Sequence, residues 1–355
     1  MVVEKDIVAI SIPFSAGVIM AAAWPPGGDA LFWTAAGCCL AAAGWLAAAA
    51  RPGDRTGAFL LLFWTLGVLC QVSAALSVPV RNGPWPPAER ALGALLRAID
   101  AAEFAHDDTA ALLKALLAGR REGLDRGTVA AFRAAGAAHI LALSGLHLGI
   151  LYGILQGLLA WTGRSRAATA ARSILSVGAA AFFLLMTGAP PSLVRAFLFI
   201  LLGELSRLLP GRRRRPVNIF CAALTIQLAC SPGVVRSLGF QLSYLALLGI
   251  VLVFPRLEAW YPAGPRPDPL RRLWSGMALT LSCQLFTAPL VWIRFRTFPR
   301  FFLLTNLGAL PLTEVFLVCA LPSLLPGCPA CIKNLADGIG QVLLRFLGTI
   351  ASLSA

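Results

Sequence analysis

Ser144 and His147 stand three residues apart inside a long apolar stretch, where a hydroxyl and an imidazole share one face of a helix. An imidazole at membrane depth is costly unless it meets a polar partner or water, so the pair predicts a polar network. A serine nucleophile with histidine as its base is the sharper alternative. No acid lies nearby in the sequence to orient the imidazole, so that interpretation depends on the distant Glu314.

Further polar residues lie inside other apolar stretches: Arg195, Gln241, Ser243, Gln284, Asn306 and Glu314. Polar residues that recur at membrane depth, several of them beside glycine or proline, favour a water-filled path through a bundle of helices. Hydrogen bonds that hold the helices together are the alternative, and spacing alone does not reject it. Glu204 and Arg207, three residues apart, predict a local ion pair.

Four glycines, Gly145, Gly149, Gly153 and Gly157, recur every four residues and form a side-chain-free face along one helix. A face of this kind lets a second helix backbone approach closely. We therefore predict that the four glycines pack against another helix.

A short segment interleaves cations with aromatic rings: Arg294, Phe295, Arg296, Phe298 and Arg300 follow one another within seven residues. Guanidinium groups bind phosphates and phenyl rings stack on bases, which makes the segment a candidate contact for a single-stranded nucleic acid. The alternative is a belt at the membrane interface, where phenyl rings anchor helix ends and arginines meet lipid phosphates.

The composition places these residues in a lipid bilayer. The chain of 355 residues is 58% hydrophobic and 13% charged, and its mean hydropathy is +0.78, whereas a soluble domain needs a polar surface. About 20 apolar residues are enough to cross the hydrocarbon core. The sequence contains ten such runs, at 7–23, 30–50, 57–78, 139–161, 173–188, 193–209, 217–231, 237–254, 273–293 and 301–321.

These runs are continuous apolar blocks without the alternation of barrel strands. We therefore predict an all-α fold, a polytopic transmembrane helical bundle of 10 or 11 spans. The stretch 335–354 is either the eleventh span or a surface helix, because Asp337 and Arg345 interrupt it.

The distribution of arginine predicts the orientation. With a cytoplasmic N-terminus, the loops 51–56, 162–172, 207–215 and 256–272 hold fourteen basic residues, against four in the short outer loops. Basic residues favour the cytoplasmic side. Half of the basic excess is thereby explained without a nucleic-acid ligand.

Three segments follow from this topology: N-terminal transmembrane helices at 1–78, an extracytoplasmic linker at 79–138 and a transmembrane domain at 139–355. The linker opens with several prolines, and its leucines then recur at helical spacing, which predicts two short amphipathic surface helices. With seven acids and eight basic residues, the linker is too short and too balanced for an independent nucleic-acid domain.

Five ordered motifs resemble the signature of the ComEC-type competence family. The first joins residues 119–124 to 132–149 and includes Leu143-Ser144-Gly145-Leu146-His147. The others are residues 187–196, 239–249, 284–290 and 306–312. The resemblance covers about residues 115–320, and the part from 139 to 355 is similar to the channel domain of that family.

The resemblance implies a channel that carries single-stranded DNA across the bacterial cytoplasmic (inner) membrane during natural transformation, without a cofactor. Many family members also contain an outer OB-like domain and a metallo-β-lactamase-like nuclease domain. The first does not fit within 79–115, and the second needs clustered metal ligands, whereas this sequence has three histidines, His106, His139 and His147. We therefore expect no metal site and no enzymatic activity.

The expected partners are single-stranded DNA, the lipid bilayer and separately encoded proteins: a nuclease, an OB-fold protein and a cytoplasmic DNA-translocating ATPase. Assembly as a homo-oligomer stays open. Two other functions also stay open, namely a transporter or channel for another anionic solute on the same bundle, and a membrane-embedded enzyme that uses His147 and Glu314.

Reporter fusions test the predicted orientation. Reporters at 51–56, 162–172, 207–215 and 256–272 are expected to report the cytoplasm, and reporters within 79–138 the outside, because the basic loops stay inside. A cytoplasmic signal from 79–138 would contradict both the orientation and the number of spans.

Overall fold

A computed structural model describes residues 3–23, 28–48, 52–76, 85–163, 165–208, 215–261, 268–296 and 298–354. Within these ranges every regular element is a helix. The backbone N–H and C=O groups inside a helix form hydrogen bonds with one another. A segment that lies in lipid needs these bonds, because no water is present to replace them. The predicted all-α polytopic fold is confirmed. The prolines at 79 and 84 and the arginines at 212–214, used above for the linker and the topology, lie outside the described residues.

The α-helices are α1 (Val3–Ala23), α2 (Gly28–Ala48), α3 (Pro52–Leu76), α4 (Pro86–Ala101), α5 (Asp107–Ala118), α6 (Arg126–Ala134), α7 (Ala138–Leu141), α8 (Gly145–Leu158), α9 (Arg166–Met186), α10 (Pro191–Leu208), α11 (Pro216–Cys230), α12 (Leu238–Leu252), α13 (Phe254–Glu258), α14 (Pro269–Phe295), α15 (Phe302–Ser323) and α16 (Ala330–Ser354). Short 3₁₀ turns extend α8 through Leu159–Thr162 and precede α12 at Pro232–Arg236.

Five helices among the described residues are long and apolar enough to cross a membrane. They are Thr56–Leu76, Gly145–Thr162, Arg166–Met186, Pro269–Phe295 and Phe302–Ser323. Four shorter apolar stretches coincide with other predicted spans: Ile7–Ala23, Phe32–Ala48, Pro216–Cys230 and Leu238–Leu252. At about 1.5 Å per residue these reach about 22–26 Å, short of about 30 Å of hydrocarbon. Five of the predicted ten or eleven spans thus contain helices of membrane length, and the remaining spans stay predictions.

The predicted span 139–161 is wrong at its start. Helix α7 ends at Leu141, Ser144 has an extended backbone, and the membrane-length helix begins at Gly145. Apolar composition continues through the break, because Ala142 and Leu143 are apolar too, so hydropathy alone does not reveal it.

The chain divides into two compact units, and the division falls inside α10 and α12. The first unit contains residues 1–83 and 198–244, and the second contains residues 84–197 and 245–355. The three segments expected from the sequence were defined by the predicted membrane topology and not by contacts between helices, so that organisation stays a prediction.

In the first unit, α1 and α3 cross with their backbones in direct contact. A Cβ added to Gly17 would overlap the carbonyl oxygen of Trp64, and one added to Gly67 would overlap that of Phe14. Each glycine therefore makes room for the other helix. The sequence analysis did not predict this pair.

Polar side chains also link the helices of the first unit. Ser11 Oγ donates to Cys221 O at 3.1 Å and accepts from Thr225 Oγ1 at 2.7 Å, which joins α1 to α11. Tyr244 Oη donates to Gln227 Oε1 at 2.9 Å. The predicted ion pair within α10 is present, with Arg207 Nη1 at 2.7 Å from Glu204 Oε1.

In the second unit, the helix expected to be the second surface helix of the linker lies in the core. Leu112, Leu113, Leu116 and Leu117 of α5 are almost completely buried. They pack with Phe132, Phe316, Leu343 and Leu347 from α6, α15 and α16. The prediction of a surface location is wrong for α5, because residues of α6, α15 and α16 cover its leucines. Helix α6 is a third helix that the sequence analysis did not predict.

A buried carboxylate connects α16 to the start of α5. Asp337 Oδ2 lies 2.6 Å from His106 Nδ1, and Thr109 Oγ1 donates to Asp337 Oδ1 at 2.6 Å. These bonds compensate the loss of water around Asp337, which is only 5% exposed. The acid that interrupts the apolar pattern of 335–354 therefore attaches α16 to α5, and α16 packs along α15.

Replacing Gly17 or Gly67 by leucine is expected to prevent the α1–α3 crossing or to destabilise it by about 1–3 kcal/mol, since a side chain would replace a backbone contact. The measurement is thermal unfolding of the purified protein in detergent. Gly44→Leu is the matched control, because Gly44 lies in an apolar helix with open space at its Cβ position. Equal midpoints for Gly17→Leu and Gly44→Leu would contradict the described crossing.

Candidate functional site

A groove of about 550 Å³ lies between α8 and α15 in the second unit. Its α8 wall consists of glycines that alternate with Leu146, Ile150 and Ile154, and its α15 wall contains Glu314 and Val318. Residues four apart share one helix face, so the glycine repeat leaves bare backbone along one side of the groove. The side chains that line the groove are therefore apolar, apart from one carboxyl group.

The glycine face differs from the predicted helix contact. A Cβ on Gly145 would lie 3.0 Å from Ala196 Cβ, so α10 approaches the first glycine closely. At Gly149, Gly153 and Gly157 the described structure has no atom within 4 Å of such a Cβ. Among the described residues, a close helix contact is thus present at Gly145 and at none of the other three glycines, and packing of all four against a helix stays a prediction. The groove stays open beside these three glycines, because they have no side chains and no described helix covers them.

Side chains satisfy the backbone groups that the break before α8 exposes. Ser144 N–H donates to His147 Nδ1 at 3.2 Å, Arg121 Nε donates to Leu141 O at 3.0 Å, and Ser192 Oγ donates to Leu143 O at 2.8 Å. An interruption of a helix at membrane depth is tolerated only when its polar groups find such partners. Arg121 and Ser192 were not predicted as functional residues, although both lie within the motifs that carried the family resemblance.

His147 occupies the third position of α8 as part of this cap. Its Nδ1 accepts a hydrogen bond, so the proton of the neutral ring resides on Nε2. The side chain is fully buried, and Nε2 has no hydrogen-bond partner among the described residues. Because the backbone of Ser144, and not its hydroxyl, contacts the ring, the geometry is that of a helix cap and does not match a nucleophile with its base.

Arg195 lies beside the first turn of α8. One guanidinium nitrogen would be 3.4 Å from a Cβ on Gly145, and the side chain is half-buried. The structure thus brings Arg195 together with Ser144 and His147, three of the residues predicted to form the polar path.

The remaining predicted path residues are dispersed. Gln284 in α14 and Asn306 in α15 are partly buried, and Asn306 Oδ1 is buried without a hydrogen-bond partner among the described residues. Gln241 and Ser243 belong to the first unit, where Gln241 Nε2 donates to Val235 O at 2.8 Å. Of the eight residues, Glu314 is the one that lines the groove. A single continuous path through all eight stays a prediction.

The basic and aromatic segment is exposed, as a contact surface has to be. It begins at the end of α14, where Arg296 adopts a left-handed backbone (φ 54°) and turns the chain. Arg294, Arg296 and Arg300 are exposed, and Phe295 and Phe298 are 54% and 43% exposed. Phe298 also meets Phe302 edge to face, with ring centroids 5.7 Å apart, which restricts its orientation. We call Arg294–Phe302 the basic aromatic loop.

A glycine in the turn between α6 and α7 contacts this loop. Gly136 has a φ of +78°, and a Cβ there would lie 2.6 Å from Pro299 Cβ. The turn between α6 and α7 therefore contacts the loop directly, and the exposed Arg133 belongs to the same turn region. Gly136 lies within the first motif, at 132–149, and the close approach of Pro299 explains why a side chain is excluded there.

The residues that the structure describes contain no group of three or more His, Cys, Asp or Glu side chains placed to hold a metal ion. His106 pairs with Asp337, and His147 caps α8. His139 Nδ1 lies 3.2 Å from Gly136 O, so each of the three histidines has a local partner.

Comparison with known proteins agrees with the motifs. The model of the family described as "Competence protein" matches residues 116–355, which extends past the expected end at 320 and includes α16. ComE operon protein 3 of Bacillus subtilis strain 168 is 25% identical over 251 residues, which cover 69% of this chain and 29% of that protein. This chain thus spans less than a third of that relative's length, and no solved structure shows a significant match. Since the family match covers well over half of the sequence, the chain belongs to the competence protein family.

Proposed function

We propose that this chain is the membrane channel through which single-stranded DNA enters the cytoplasm during natural transformation, and that it resides in the bacterial cytoplasmic membrane with its N-terminus inside. Membership of the competence protein family supports this role. The observation that carries the proposal is the basic aromatic loop, in which exposed guanidinium groups alternate with exposed phenyl rings. A single strand offers phosphates and bases in the same alternation.

Each component of the loop has a defined task. Arg294, Arg296 and Arg300 would neutralise phosphates and release their counterions, which makes capture depend on salt. Phe295 and Phe298 would stack on bases irrespective of sequence, as a channel for any DNA requires. The contact between Pro299 and Gly136 fixes the loop on the helices behind it, so the phenyl rings need little further ordering when they bind.

The location of the loop is compatible with capture from outside. The positive-inside distribution assigns both 79–138 and 294–300 to the outer side. Gly136 and Pro299 come from these two segments and touch, so the segments occur on the same side of the second unit. This agreement supports the proposed orientation.

A carrier for another anionic solute is the competing function. Such a carrier needs a cationic or donor-rich pocket, because a desolvated anion is otherwise unstable. The groove described here contains a carboxyl group and apolar side chains, with no cation among its lining residues. That composition disfavours a small anion as the occupant of the groove.

Other components would complete the uptake system. We propose that a nuclease, an OB-fold protein and a cytoplasmic DNA-translocating ATPase act as partners of the channel. The chain itself would conduct the strand without cleaving it. Homo-oligomerisation is compatible with the open glycine face of α8.

The triple variant with Arg294, Arg296 and Arg300 changed to glutamine is expected to reduce capture of labelled single-stranded DNA. Three lost phosphate contacts would lower the slope of log affinity against log salt by about 2. Phe295→Ala or Phe298→Ala is expected to cost about 1–3 kcal/mol of binding without changing that slope. Binding and uptake are measured per correctly inserted molecule.

The matched control removes three exposed arginines from the predicted cytoplasmic side, Arg166, Arg256 and Arg272. It lowers the net charge equally and should leave the capture of external strands intact. Unchanged uptake in the loop variant would remove the loop from the DNA path and favour the interface belt or the solute carrier.

A further inference from the structure

Two cysteines of the first unit, Cys70 of α3 and Cys230 at the end of α11, lie close together although they are far apart in the sequence. The Cys70 thiol donates to Ala229 O, with Sγ 3.6 Å from the oxygen, and Ala229 directly precedes Cys230. A trans peptide places the next Cα atom about 2.8 Å from a carbonyl oxygen, so Cys70 Sγ is at most about 6.4 Å from Cys230 Cα. The two thiols are also within electrostatic range of each other.

A disulfide fits this separation. In a disulfide, the sulfur of one cysteine lies about 4 Å from the Cα atom of the other. The sulfur of Cys70 therefore has to approach Cys230 by at most about 2.5 Å. Rotation of a cysteine side chain from one staggered rotamer to the next moves its sulfur by about 3 Å, so the bond can form without movement of either helix.

Both groups are accessible to a reagent. Cys230 is exposed and Cys70 is half-buried, and both are thiols in the structure. Ala229 O is one of the last carbonyls of α11, which have no partner within the helix. Because Ala229 is exposed, water can replace the thiol as the donor to this oxygen when Cys70 turns towards Cys230.

A bond between the two sulfurs would join helices that already share a neighbour. Helix α1 packs against both α3 and α11, and the turn Pro232–Arg236, which follows Cys230, contacts α1 and α3. Arg236 Nη2 donates to Ala22 O at 2.7 Å and thus attaches this turn to the end of α1. A disulfide would add a direct covalent link from α3 to α11 and so hold all three helices together.

The compartment allows the bond if the proposed orientation is correct, and the inference rests on that orientation. Helix α3 then runs outward from the loop 51–56, and α11 runs outward from the loop 207–215. Both helices end on the outer side, and Cys230 is the last residue of α11. Thiols outside the cytoplasmic membrane of bacteria meet an oxidising environment, whereas cytoplasmic thiols are kept reduced.

From the contact between Cys70 and the end of α11, the exposure of Cys230 and the location of both helix ends, we propose that Cys70 and Cys230 form a disulfide that holds α3 against α11 on the outer side of the membrane.

The oxidant in this step is a protein disulfide of the outer compartment. The Cys230 thiolate attacks one sulfur of that disulfide and displaces the other sulfur as a thiolate, which gives a mixed disulfide. The Cys70 thiolate then attacks the sulfur of Cys230 and displaces the second thiolate of the oxidant. One disulfide forms and one breaks, two electrons pass to the oxidant, and the two protons of the cysteines end on its two thiols.

Differential alkylation of the full-length chain tests whether the bond exists in cells. Thiols are trapped with acid and blocked with N-ethylmaleimide in denaturant, and disulfides are then reduced and labelled with iodoacetamide. We expect iodoacetamide on Cys70 and Cys230, N-ethylmaleimide on the exposed Cys331 of α16, and a non-reduced digest in which the peptides of Cys70 and Cys230 are linked. N-ethylmaleimide on Cys70 and Cys230, or a link from either one to a different cysteine, would overturn the proposal.

Thermal unfolding of the purified protein in detergent measures what the bond does. Dithiothreitol is expected to lower the midpoint of the wild type by about 5–10 °C, because the bond closes a long loop. Cys70→Ser, Cys230→Ser and the double variant should share this lowered midpoint and not respond to dithiothreitol. Cys331→Ser is the matched control and should behave as the wild type.

A simple hydrogen bond from Cys70 to Ala229 O predicts a different pattern. A serine hydroxyl also donates, so Cys70→Ser would keep the bond and the midpoint, Cys230→Ser would change nothing, and dithiothreitol would have no effect. That pattern would overturn the proposal.

The outcomes also separate this inference from the proposed function. Free thiols in cells in which a reporter places 232–236 outside refute the disulfide and leave the orientation standing. Free thiols together with a cytoplasmic report from 232–236 refute the disulfide and the orientation together. A linked pair in a protein that takes up no DNA refutes the channel function and leaves the disulfide standing.

Discussion

Backbone amides and carbonyls that leave water for lipid need partners inside the protein, and this requirement governs where the helices of this chain end. The break before α8 illustrates it. Arg121, Ser192 and His147 each bond to a backbone group between Leu141 and Ser144. The motif Leu143-Ser144-Gly145-Leu146-His147 thus contains a helix start at which side chains bond to the exposed backbone groups, and the start of α8 determines where the groove begins.

Close packing in this protein depends on where glycine meets another backbone, and a regular glycine repeat does not identify those places. Gly17 and Gly67 face each other at a crossing, and a Cβ on Gly249 would overlap the backbone of Ser282 in α14. The repeat from Gly145 to Gly157 borders open space after its first residue. A small residue permits close approach, but the second helix has to be present, and only the arrangement of the chain determines its position.

Charged residues within apolar helices have different surroundings. Glu204 has Arg207 one turn away, and Asp337 has His106 and Thr109 from a helix more than 200 residues earlier in the chain. Bonds of this kind make a buried charge tolerable and hold helices in register. Glu314 has neither arrangement among the described residues, and it faces a groove. Two of these acids therefore have a structural role, whereas Glu314 borders open space.

The sequence by itself determined the membrane character, the helical fold and the family, because mean hydropathy, uninterrupted apolar runs and ordered motifs are local properties of the chain. It also identified the ion pair within α10 and the composition of the basic aromatic loop, since both depend on neighbours in sequence. Tertiary structure decided the rest. Burial of α5, the bond between His106 and Asp337 and the contact of Gly136 with Pro299 join segments far apart in the chain. Periodicity gives the face of a helix but not the partner opposite that face, so the open groove beside Gly149 and the isolation of Glu314 emerged only when the helices were placed together.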